Sequence, residues 1–222
     1  MEVKTIPSVQ YAPSLSTVAV IGAGLLGKCV AIDLSLCNVN VILIDKDESK
    51  LKSVNRRAYE TLQPLYRLGY IEETSVKSNM SRIKLSLSLQ DCEKADMVIE
   101  AIPEDIVLKR DLVKQLAGIC HEDTILATST MNLPINDLFN GIKNPRRTIG
   151  LRFLHPCVRI PVAVVTVGTA TSTATENSVE SFLESVGKDK MEGPSKYVLN
   201  RQTVLKYQAH PIRPSLRNEL NK

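Results

Sequence analysis

Tryptophan is absent from this 222-residue chain, and aromatic residues make up only 4% of it. Leu, Ile, Val and Ala must therefore fill the interior, and the aromatic interleaving that single-stranded nucleic-acid binding needs is missing. The formal net charge of +4 comes from Lys and Arg spread along the chain without a dense basic block, which argues against nucleic acid as a partner. No apolar run approaches the roughly 20 residues that span a bilayer, so no membrane role is expected. The first fifteen residues have neither the charged-then-apolar layout of a secretory signal nor the Arg-rich layout of a transit peptide. The five cysteines are odd in number, with no C-x-x-C pair and no histidine at ligand spacing. That set excludes a disulfide framework, offers no metal site, and fits a reduced, cytoplasmic setting.

What is present is ordinary soluble material, 43% hydrophobic and 23% charged, and long enough for one substantial domain. Short apolar runs alternate with helix-period segments, the pattern of parallel strands joined by crossover helices. Strands are expected at 17–22, 39–45, 82–88, 95–102, 123–129, 146–154 and 162–167. Helices are expected after the first strand, over about 47–69 as a charged, projecting arm interrupted at Pro64, over 103–119, and from Thr173, where Thr173 and Glu176 have capping-box spacing. In the helix over 103–119, Leu108, Leu112, Leu116 and Ile119 form one stripe. The expected fold is α/β: a Rossmann-type, doubly wound, mostly parallel sheet with helices on both faces. The expected organisation is a flexible segment over 1–15, one domain over 16–201, and the start of a helix with a polar tail over 202–222.

GAGLLG places Gly22, Gly24 and Gly27 in G-x-G-x-x-G order, with Leu25 and Leu26 between them. The motif follows a strand, opens a helix, and is trailed by Asp45 at the end of the second strand. Gly22 permits the turn, Gly24 lets backbone N–H groups approach a pyrophosphate at the positive helix end, and Gly27 lets the helix approach the sheet. The Asp45 carboxylate would accept from ribose hydroxyls and repel a 2′-phosphate, which favours NAD over NADP.

The chain resembles the NAD-binding N-terminal domain of the L-3-hydroxyacyl-CoA dehydrogenase family, which includes lambda-crystallin, an L-gulonate dehydrogenase. The resemblance runs from Val18 to Arg201 and is carried by VAVIGAGLLG, VILID, VIEAIPEDIVLKRDLVKQL, ILATSTMNLPI, TIGLRFLHP, RIPVAVV and YVLNR. It implies that Glu104 and Lys109 lie near the nicotinamide ribose. It also implies hydride transfer coupled to removal of a hydroxyl proton by a His, which a Glu twelve residues later supports, with a Ser and an Asn positioning the substrate oxygen. The His position falls on Arg152, the Glu position on Val164 and the Ser position on Met131, whereas the Asn is kept as Asn200. Arginine cannot accept a proton in a protein.

His155, three residues on, is a weak candidate for a substitute base, set against a hydrogen-bonded histidine under the loop. His121 and His210 lie in polar loop or tail segments, and Cys157 reads as a small buried residue. The family's helical C-terminal dimerisation domain is expected to be absent from this chain, leaving a surface open to a protein partner. Three functions stay open: a catalytically impaired NAD-binding domain, a sensor or binding partner in acyl or sugar-acid metabolism; an active NAD-dependent dehydrogenase of an acyl-CoA or hydroxy-acid ligand; and a protein-interaction module on a Rossmann scaffold.

Overall fold

The protein is described here from a computed structural model, over residues 15–67 and 73–193. Asn200, His210 and the expected C-terminal helix and tail lie outside the described residues, as does nearly all of the N-terminal segment.

Among the described residues, eight strands form one sheet: β1 (Thr17–Ile21), β2 (Asn40–Ile44), β3 (Ile83–Ser86), β4 (Met97–Glu100), β5 (Ile125–Thr128), β6 (Thr148–Phe153), β7 (Val162–Thr166) and β8 (Asp189–Glu192). They lie in the order β3-β2-β1-β4-β5-β6-β7-β8, parallel throughout except where β7 runs antiparallel to β6. The first six strands have the Rossmann order, with the reversal between β1 and β4. The sheet is therefore the doubly wound, mostly parallel one that the sequence pattern implies. β8 carries no apolar run, having the sequence DKME, and it joins the sheet through backbone pairing with β7. Periodicity could not have shown it.

Both faces of the sheet are covered. Val18, Val20, Ile149, Leu151 and Phe153 point into one core with helix α1 (Leu25–Ser35) and helix α7 (Thr173–Ser185). Ala19, Ile21, Val98 and Leu126 point into the other, against helix α5 (Ile106–Ile119) and the short helix α6 (Ile135–Leu138). This alternation along parallel strands, apolar on both sides, produces the continuous hydrophobic runs in the sequence.

The charged segment after β2 differs from the expected arm. It divides at Ser53 into α2 (Glu48–Lys52) and α3 (Val54–Arg67), and α3 runs on through Pro64. Val54, Ala58, Leu62 and Leu65 recur at helical spacing and are buried in the larger core, so α3 lies on the domain. A further helix, α4 (Glu73–Ser81), precedes β3. The cap of α7 is Ser172, which accepts from the Thr175 N–H at 3.2 Å, one residue before the expected capping box. One buried ion pair ties the ends of the domain together: Lys188 Nζ lies 3.0 Å from Asp33 on α1 and donates to the carbonyls of Cys157 and Ile160. Among the described residues, no helix is long and apolar enough to cross a membrane.

Candidate functional site: the crevice at the strand ends

The reversal of strand order opens a crevice beyond the C-terminal ends of β1 and β4, where open α/β sheets place their ligands. Gly22, just past β1, has φ +105°, and its N–H donates to the Ile44 carbonyl at 2.7 Å. A Cβ there would stand 2.7 Å from the Ala101 carbonyl oxygen, so only glycine fits both the dihedral and the space. A Cβ on Gly27 would lie 1.8 Å from the Gly22 carbonyl oxygen, which measures how tightly the first turn of α1 is pressed against the strand. At Gly24, the N-cap, a Cβ would meet nothing within 4 Å. Its side faces open crevice, and φ is an ordinary −72°.

No side chain caps α1, and its first turn carries no acid. The positive end of the helix and the amides of Leu25, Leu26 and Gly27 are thus left to an anion. Beside them Asp45 is buried, accepting from the Ala23 N–H at 2.8 Å through Oδ2 and from the Asp47 N–H at 2.9 Å through Oδ1, with Lys50 Nζ 3.9 Å away. A cavity of about 530 Å³ joins these parts, lined by Gly22, Gly24, Asp45, Lys46, Pro103 and Leu108 among others. Leu108 is half-exposed at this mouth instead of continuing the buried stripe of α5, because the inward position is taken by Lys109.

Lys109 is almost fully enclosed, and its Nζ donates to Glu100 Oε1 at 2.6 Å and to the Ile102 carbonyl at 3.2 Å. Glu100, the last residue of β4, is enclosed to the same degree and accepts from the Ile102 N–H at 2.7 Å and the Thr128 hydroxyl at 2.6 Å. Three donors thus satisfy the two oxygens of one buried carboxylate, the condition under which a buried charge is tolerated. Glu100 was not among the candidate residues from sequence. Its signal was present, as an acid that closes the otherwise apolar run MVIE.

Glu104 does not cap α5, a role taken by Asp105, which accepts from the N–H groups of Val107 and Leu108. Glu104 instead reaches across to the loop after β5: its Oε1 accepts from the Thr130 hydroxyl at 2.6 Å and from the N–H groups of Met131 and Asn132 at 2.8 and 2.9 Å. Lys109 Nζ stands 3.5 Å from its other oxygen. Partial burial would raise its pKa, but the bonds from Thr130, Asn132 and Met131, with the Lys109 charge, outweigh it and hold the carboxyl below its ordinary value.

The other half of the site is formed by β6 and β7, outside the residues that line the cavity of about 530 Å³. Arg152 and Val164 are directly opposite partners in the antiparallel pair, on the sheet face away from Ile149, Leu151 and Phe153. Met131 stands exposed on the loop held by Glu104, and Glu104 is the charge that Arg152 faces. Three residues remote in sequence thus gather around one edge. His155 is placed elsewhere. It is exposed and lines a separate cavity of about 280 Å³ with Cys29, Arg57, Pro64 and Cys157. Burial and the Arg57 charge both lower its pKa.

A family model described as the NAD-binding domain of 3-hydroxyacyl-CoA dehydrogenase matches residues 17–192. A probable 3-hydroxybutyryl-CoA dehydrogenase of Bacillus subtilis is 33% identical over 178 residues, covering 80% of this chain and 62% of its own length. A 3-hydroxybutyryl-CoA dehydrogenase of Clostridioides difficile is 30% identical, covering 82% of this chain and 66% of its own. Among solved structures, (S)-3-hydroxybutyryl-CoA dehydrogenase from Ralstonia eutropha superposes with a TM-score of 0.80 at 29% identity, covering 85% of this chain and 67% of that one. The chain spans less than two thirds of the length of the first two relatives.

Proposed function

Because the chain belongs to the 3-hydroxyacyl-CoA dehydrogenase family through its NAD-binding domain, we propose that it binds NAD without performing the proton transfer of a dehydrogenase. The parts of the crevice fit the cofactor. The uncapped amides of Leu25, Leu26 and Gly27 would take the pyrophosphate, the open side of Gly24 leaves room for it, and Asp45 would accept from the adenosine ribose hydroxyls. Glu104, which fixes the loop through Met131, and Lys109 beside it would stand toward the nicotinamide end.

NAD, when bound, supplies a hydride acceptor. Oxidation of an alcohol also needs a group to accept the hydroxyl proton. Arg152 keeps its own proton, and Val164, its cross-strand partner, has nothing to ionise or to orient a base. This direct opposition of Arg152 and Val164 beside an intact dinucleotide crevice is the observation that carries the reading. Binding of a hydroxyacyl or hydroxy-acid ligand, and of a protein partner, belongs to the same proposal as a sensing role.

Isothermal titration with NADH, paired with steady-state assays on 3-hydroxybutyryl-CoA and L-gulonate, tests both halves. Saturable NADH binding with no turnover above the blank is expected. Absence of binding at millimolar cofactor, or measurable NADH formation, would remove the reading.

A further inference from the structure

We propose that Arg152 is the base of an anion site that takes the carboxylate of a small monoanionic organic acid, beside the dinucleotide crevice. Arg152 is 9% exposed, yet its guanidinium makes no hydrogen bond or ion pair among the described residues, and its Nε is fully enclosed with no partner. The other buried cations are provided for. Lys109 has Glu100 and the Ile102 carbonyl, Lys188 has Asp33 and two carbonyls, and Arg147, whose Nε is also enclosed without a partner, donates through its terminal nitrogens to the carbonyls of Ala117, His121 and Thr124. A desolvated charge left without a partner is strongly unfavourable, so the guanidinium marks a place where an acceptor comes from outside.

The surroundings define that acceptor. Val164 opposite offers no polar atom, and the Oε1 of Glu104 is already taken by Thr130, Met131 and Asn132. Glu104 is still the acid whose charge acts on Arg152, although it makes no ion pair with it. Glu100 and Glu104 both lie against Lys109, and among the described residues no acid is within ion-pair distance of Arg152. The four charges sum to zero, so a single added negative charge is easier to accommodate than the double charge of a phosphate. The planar fork of N–H donors matches a carboxylate through two parallel bonds. The exposed Met131 supplies apolar contact for a short carbon chain. The inference rests on the dinucleotide reading only for what lies next to the site.

Calorimetric titration and thermal-shift assays with 3-hydroxybutyrate, its neutral amide and inorganic phosphate, each with and without NADH, test it. Binding of the carboxylate but not the amide is expected, with phosphate weaker. Arg152→Met should weaken carboxylate binding by about tenfold or more while NADH affinity moves less than about twofold. Should that variant fail to fold, Arg152→Lys keeps the charge, loses the fork, and is expected to bind the carboxylate more weakly than the wild type. Equal binding of acid and amide, tighter binding of phosphate, or undiminished carboxylate binding by either variant would overturn the proposal. Carboxylate binding that persists when NADH fails to bind would remove the cofactor reading and leave this one standing.

Discussion

The two halves of the site are built on different principles. Around β1, β2 and β4, recognition is backbone geometry: a positive-φ glycine, a helix pressed on a strand, uncapped amides and one carboxylate locked by two N–H groups. Around β6 and β7 it rests on individual side chains, and there Arg152 and Val164 stand where the family resemblance places a base and its supporting acid. Arg152 and Val164 pair directly across β6 and β7, so the sheet accommodates these side chains without disturbing the strands that carry the cofactor crevice.

The strongest way to break the contrast is to attack the ionic support under the cofactor half. Lys109→Met leaves Glu100 buried without its cation, and a loss of about 3–5 kcal/mol is expected in urea unfolding. A variant as stable as the wild type would show that the pair contributes nothing. Gly27→Ala sets a methyl group against the Gly22 carbonyl, where backbone must move, and should cost about 3 kcal/mol, read as a fall of roughly 10 °C in melting temperature. Asp45→Ala removes the acceptor for the Ala23 and Asp47 amides. NADH affinity should drop by about 2 kcal/mol, roughly thirtyfold, in a fluorescence titration.

A smaller effect joins the two halves through Glu104. Its folded pKa lies below the ordinary 4.5, so the unfolded chain binds its proton more readily. Stability from this group is present above about pH 4.5 and is lost as pH falls through the lower folded value. Glu104→Gln should therefore narrow the stability gap between neutral and acid pH in calorimetry, and an unchanged acid limb would contradict this.

The sequence made the cofactor half legible because its determinants are short in range: GAGLLG lies between an apolar strand and a helix, and Asp45 ends the next strand. Seven of the strands were readable, β3 from its period-two alternation and the others from short apolar runs. β8 was not, since DKME takes its place through backbone bonds alone. α3 looked like a free arm because its charges outnumber its apolar stripe, although Val54, Ala58, Leu62 and Leu65 were at the right spacing. Glu100 and Lys109 form a contact across nine residues that no periodicity encodes. The unpartnered state of Arg152 is a three-dimensional fact, because only packing shows which acceptors are already taken.

The central claim is most directly tested by stopped-flow absorbance at the NADH band. Protein saturated with NAD is mixed with 3-hydroxybutyryl-CoA across the neutral pH range. The account predicts no NADH formed within a single turnover at any pH. A stoichiometric burst whose rate rises with deprotonation of a histidine-like group would contradict it.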